Sequence, residues 1–164
     1  MTTLFSTSEP FAVSSAGNVV ATPEGFKARV VSVIEGDTLV VLKQGTKQKI
    51  RLNGIDCPEH DQPFGFEARQ VTADLTLGKD VLVKKVRKDH QGRLVADVTL
   101  PDGQSLAHTL VRAGLAWWYR KYSSDPVLAG LEAEARAAKR GLWAKAAVPP
   151  EQWRRGQRDL GILR

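Results

Sequence analysis

Apolar residues recur along this chain in two different periods. Runs rich in Val, Ile and Leu at 28–34, 38–43 and 47–53 are separated by Glu35-Gly36 and Gln44-Gly45, and predict three short strands. The period then changes. Ala68, Val71, Thr72 and Leu75 recur at i, i+3, i+4 and i+7, which predicts an amphipathic helix over 65–77 with Gly78 placed to end it. Residues 81–87 and 94–100 predict a further strand pair around a turn at 89–92. Pro101-Asp102-Gly103-Gln104 marks another turn, and Ser105 can cap a short helix running to Arg112. Residues 115–119 suit a brief extended segment. Asp125-Pro126 reads as an N-cap followed by proline at the first helical position. Leu128, Leu131, Ala135, Ala138 and Leu142 give that last helix one apolar face, with Glu132 and Arg136 as an i,i+4 pair on its surface.

The ends of the chain lack such patterning. Residues 1–26 are rich in Ser, Thr, Ala and Gly and read as a flexible leader, with one short strand expected around 18–21. Pro149-Pro150 opens a basic tail, 147–164, containing Arg154, Arg155, Arg158 and Arg164. One domain is expected between them, over 27–146. Five strands with an intervening helix and then helices predict an α+β chain: a small closed barrel with about three helices.

Composition adds a charge argument. The 164 residues include 24 Lys and Arg against 18 Asp and Glu, a net charge of +6, which favours attraction to a polyanion without requiring it. A single cysteine, Cys57, excludes an intramolecular disulfide. No apolar run approaches the length of a membrane span, and no membrane partner is expected. The first residues lack a basic n-region, and Glu9-Pro10 interrupts the apolar stretch, so they make a poor signal peptide.

Candidate chemistry sits at the turns. Glu35, Gly36, Asp37 and Thr38 form one acidic turn, and Arg51 precedes a second, Ile55-Asp56-Cys57-Pro58-Glu59. Gly92-Arg93 brings another arginine to a turn. Carboxylates collect a hard cation and arginines grip phosphate, so the combination points to metal-assisted phosphodiester chemistry. Each residue taken alone has a plainer explanation: turn chemistry for Asp37, a capped loop for Asp56, a helix N-terminal acid for Glu59, and a surface ion pair for either arginine. Both arginines are expected near solvent. Lys84, Lys85, Arg87 and Lys88 form a basic stretch, and 117–122 interleaves aromatic and basic residues, as non-specific single-strand binders do. Lys84, Tyr119 and Tyr122 are the expected substrate contacts, with Trp117 and Trp118 equally suited to a core. Cys57 and His60 make only half a zinc motif, the three histidines form no HExxH, and there is no Walker A loop.

These motifs, with Leu110-Val111-Arg112-Ala113-Gly114-Leu115-Ala116 and Gly141-Leu142-Trp143, resemble the staphylococcal nuclease family over about residues 27 to 144. The resemblance selects the OB-fold among small barrels. It implies a calcium-dependent nuclease acting on DNA and RNA, single-stranded or locally opened, which cleaves the bond to the 5′ oxygen and leaves 3′-phosphates. It implies that Asp37, Asp56 and the Cys57 backbone carbonyl bind Ca2+, with Glu35 contacting a coordinated water. It assigns Glu59 to water activation and Arg51 and Arg93 to the charge that develops on the phosphoryl oxygens. Cys57 replaces a threonine of some members, but only its carbonyl is needed; its free thiol is open to oxidation beside a metal. Residues 60–64 are shorter than a lysine-rich loop of other members. By the same resemblance a secreted or periplasmic monomer is expected. The competing reading is a non-catalytic OB-fold binding module; such modules usually lose the acids and arginines that this chain retains.

Overall fold

A computed structural model describes residues 25–160. Residues 1–24 of the leader, with its expected strand around 18–21, and Arg164 of the tail lie outside the described residues; Gly25 and Phe26, expected in the leader, instead open the first strand and pair with Lys84 and Val83. Seven strands and four α-helices follow in order: β1 (Gly25–Glu35), β2 (Thr38–Lys43), β3 (Thr46–Leu52), β4 (Ile55–Asp56), α1 (Gly65–Thr76), β5 (Asp80–Lys88), β6 (Leu94–Thr99), α2 (Leu106–Arg112), β7 (Trp117–Trp118), α3 (Pro126–Ala137) and α4 (Pro150–Asp159). A 3₁₀ turn, Gly141–Ala144, lies between the last two helices.

The five longer strands close into a barrel in the order β1-β2-β3-β6-β5. All neighbours are antiparallel except β3 and β6, which run parallel. Closure removes sheet edges, and one face of each strand fills the interior. Val30, Leu39, Val41, Ile50, Val81, Val83 and Val98 are all fully buried there. β4 and β7 form a separate two-stranded ladder with Ile55 opposite Trp118 and Asp56 opposite Trp117. That ladder carries the second acidic run across to the aromatic segment.

Local signals account for the helices. Ser105 Oγ accepts from His108 N at the start of α2, and Asp125 Oδ1 accepts from Val127 N at the start of α3, with Pro126 at the first position. The α+β barrel therefore forms as its sequence predicts. Three details differ. α3 ends at Ala137; Ala138 is exposed, and Leu142 is buried from the 3₁₀ turn instead, because Lys139 adopts a left-handed φ of 52°. Glu132 is not a surface residue: it is 3% exposed, accepts from Trp118 N at 3.2 Å, and is clamped by Arg120 and Arg136. A fourth helix, α4, occupies part of the basic tail.

Candidate active site

The β1–β2 turn builds the first half of the site. Gly36 packs so closely that an added Cβ would stand 2.8 Å from Ala68 Cβ and 2.9 Å from Cys57 Sγ. Asp37 follows it and is completely buried. Its Oδ1 accepts from Thr38 Oγ1 at 2.9 Å, and its Oδ2 from the Cys57 backbone N–H at 2.6 Å. Pairing of β2 with β3 sets Thr38 opposite Arg51, so Arg51 arises one residue from Asp37 across the hairpin.

Arg51 then joins the two acidic turns. Its Nη1 pairs with Asp37 Oδ1, and its Nη2 lies 2.6 Å from Asp56 Oδ1. Its side chain is only 14% exposed, so it is not near solvent as expected. Burial opposes its charge, but Asp37 and Asp56 more than offset that and hold the guanidinium pKa above its ordinary value. Burial, with Asp37 beside it, pushes the Asp56 pKa up despite Arg51.

The remaining Asp56 oxygen is taken by a residue the motifs did not select. Arg154 of α4 donates from Nη2 to Asp56 Oδ2 at 3.2 Å and pairs through Nη1 with Glu59. α4 is itself tied to the loop after β4: Trp153 Nε1 donates to Asp61 Oδ1 at 3.3 Å, and Gln62 Nε2 donates to Val148 O at 2.5 Å. The signal for α4 was in the sequence, since proline suits the first helical position and Arg154 and Arg158 share one face at i,i+4. The paired prolines read equally well as the opening of a tail.

Glu35 ends β1 beside these groups. Burial first, then Asp37 and Glu59, push its carboxyl pKa up to about 7, against the pull of Arg51. Arg93 lies across the same cleft. Gly92, with φ of 76°, makes the turn, and Asp89 folds back on it, accepting from Gln91 N and Arg93 N at 2.9 Å each. The Arg93 Nε lies 2.6 Å from Asp89 Oδ2. Against a desolvation cost, that contact holds the Asp89 carboxyl below its usual range.

Most of these residues line a cleft of about 640 Å³, while Asp37 and Asp56 stay buried outside its lining. Glu35, Arg51, Glu59 and Arg93 face it, as do Tyr119 and Tyr122, whose rings meet edge to face at 4.9 Å. Arg87 also lines it, with its guanidinium 4.9 Å from the Tyr122 ring centre. Lys84 does not: it is exposed on β5, and Arg87 occupies the cleft in its place. Trp117 is buried and Trp118 packs against the core, so both serve the interior. The Cys57 thiol is 2% exposed, and burial pushes its pKa well up, so it is shielded from the oxidation its position suggested.

Glu35, Asp37, Asp56 and Glu59 thus crowd four carboxylates around two guanidiniums, Arg51 and Arg154. That excess of hard oxygen donors fits a calcium ion in charge and chemistry. Among the described residues no three acidic, histidine or cysteine side chains already stand grouped for a metal. Arg51 takes one oxygen of each aspartate, Arg154 the other oxygen of Asp56, and the Cys57 N–H the other oxygen of Asp37, so a cation would have to displace contacts made here.

Sequence comparison relates the chain to known proteins. The profile of the family described as "Staphylococcal nuclease homologue" matches residues 49–145. A protein of Escherichia coli O157:H7 named "Uncharacterized endonuclease" is 44% identical over 127 residues, covering 77% of this chain and 83% of that protein. One of the same name from Haemophilus influenzae is 38% identical over 132 residues, covering 79% and 74%. The "Micrococcal nuclease" of Shigella flexneri is 37% identical over 145 residues, covering 82% and 83%. With the profile spanning more than half its length and near-full-length relatives at this identity, the chain belongs to the staphylococcal nuclease homologue family.

Proposed function

We propose that the protein is a calcium-dependent phosphodiesterase that hydrolyses DNA and RNA with little sequence preference. Family membership and the nuclease-named relatives support the nuclease class. The observation that carries the finer reading is Arg51 bridging Asp37 and Asp56 beside Glu59, at the floor of one basic cleft. Acids beside phosphate-binding arginines weaken the pull on a polyanion, which a mere binding module would not favour.

Asp37, Asp56 and the Cys57 carbonyl would hold the calcium ion, with Glu35 close by. When bound, it would supply Lewis-acid stabilisation of phosphoryl charge and lower the pKa of a water. The chain's own groups do the rest. Glu59 orients the attacking water and takes up its proton, but a carboxylate is a weak base, so its contribution lies mainly in the positioning. The water oxygen bonds to phosphorus as the bond from phosphorus to the 5′ oxygen breaks. The departing 5′ oxygen takes up a proton, leaving a 3′-phosphate and a 5′-hydroxyl. Arg51 and Arg93 meet the oxygens on which charge develops; a planar guanidinium can contact two at once. Tyr119 and Tyr122 offer stacking faces to bases, with Arg87 beside them on the backbone.

End chemistry tests this directly. Single-stranded DNA fragments produced with calcium should resist extension by a polymerase until a phosphatase removes their 3′-phosphates. Fragments that extend without phosphatase would overturn the proposed direction of cleavage. The second reading, a non-catalytic OB-fold module, draws on the aromatic and basic lining alone, and predicts binding without fragments.

A further inference from the structure

We propose that α4 is the second wall of the nucleic-acid cleft, with Arg158 taking a backbone phosphate and Arg154 neutralising the acidic floor beside it. This rests on the nuclease reading and goes beyond it, because α4 lies outside the residues that define the family match.

The argument is one of charge and position. Without α4, the charged lining is Arg51, Arg87 and Arg93 against Glu35, Glu59 and Asp89, and Asp37 and Asp56, paired with Arg51, leave the region net negative. A cleft over such an acidic floor draws a polyanion poorly. Arg154 and Arg158 make the lining itself net positive and offset the two aspartates. They stand one turn apart on a single face of α4, whereas Arg155 points elsewhere and pairs with Glu151 at 2.8 Å. Arg154 also neutralises the acidic floor through Asp56 and Glu59, so an approaching phosphate meets less repulsion there. Arg158 is exposed and makes no ion pair among the described residues. The helix is positioned for this, since Trp153 ties it to Asp61 of the loop that carries Glu59 and Gln62 holds Val148 just before it.

The test measures binding rather than cleavage. A fluorescein-labelled single-stranded DNA oligonucleotide is titrated with protein in chelator, at several salt concentrations, and read by anisotropy. Arg158→Ala should weaken binding about fivefold at low salt. It should also lower the slope of log affinity against log salt by about 0.7, the loss of one phosphate contact on a single strand. Arg158→Lys should keep most of the slope, and Arg155→Ala should change neither quantity. Wild-type affinity and slope in Arg158→Ala would overturn the proposal. So would an equal loss in Arg155→Ala, which would mean that only net charge matters. Calcium-driven digestion of plasmid by the wild type, run alongside, separates the two readings: digestion with unaltered Arg158→Ala binding removes the role of α4 and leaves the nuclease standing.

Discussion

Arg51 carries the largest consequence at the scale of single residues. Its burial between Asp37 and Asp56 changes what its removal would do. Arg51→Ala leaves two buried carboxylates without their cation, at a cost of about 3 kcal/mol or more, so lost activity there would mix chemistry with folding. Arg51→Lys is the cleaner variant. It keeps a charge but not the two-pronged geometry, and turnover should fall on the order of a hundredfold while the protein remains folded by circular dichroism. Turnover within a few-fold of wild type would show that Arg51 is structural. Glu35 supplies a second residue-scale expectation. Its folded pKa of about 7 stands above the ordinary 4.5, so the folded state holds the proton more tightly. The stabilisation is complete below the unfolded value and is lost as pH rises through about 7. Urea unfolding in chelator should therefore show wild-type stability falling across that window relative to Glu35→Gln. Parallel curves for the two proteins would refute it.

Elements decide how those residues meet, and here the sequence was legible in part. The strands of the barrel were readable because Glu35-Gly36, Gln44-Gly45 and the Asp89 turn punctuate apolar runs. Hairpin register then makes Asp37 and Arg51 neighbours, since Thr38 pairs with Arg51. α4 was not readable by the same means: only Pro150 of its residues is buried, so no apolar stripe announces it. Glu132 failed for a related reason. An i,i+4 pair looks identical on an exposed or a docked helix face, and its burial comes from β7, where Trp118 donates to it. The β1–β2 turn is the element on which the site depends. Gly36→Ala should force Ala68 and Cys57 apart and shift Asp37, destabilising the protein by about 1–3 kcal/mol. The urea midpoint should drop and the thermal shift produced by calcium should shrink. An unchanged midpoint and an unchanged calcium shift would mean that the turn yields without cost.

Over the whole molecule, a closed barrel supplies a rigid floor, and segments from distant parts of the sequence meet above it. Turns at residues 35–37 and 89–93, the β4–β7 ladder and α4 all contribute to one cleft. The candidate acids and arginines were visible as motifs, but the clamp of Arg154 on Asp56 and Glu59 spans 98 and 95 residues and had no local signature. The most direct test of the account is paired cleavage and binding for the wild type and Glu59→Ala. Plasmid and single-stranded DNA are incubated with calcium or with excess chelator, and oligonucleotide affinity is measured on the same preparations. The wild type should cut both substrates with calcium and neither in chelator, while Glu59→Ala should bind nearly as well and scarcely cut. Undiminished cleavage in chelator, or a wild type that binds but never cuts with calcium, would contradict it.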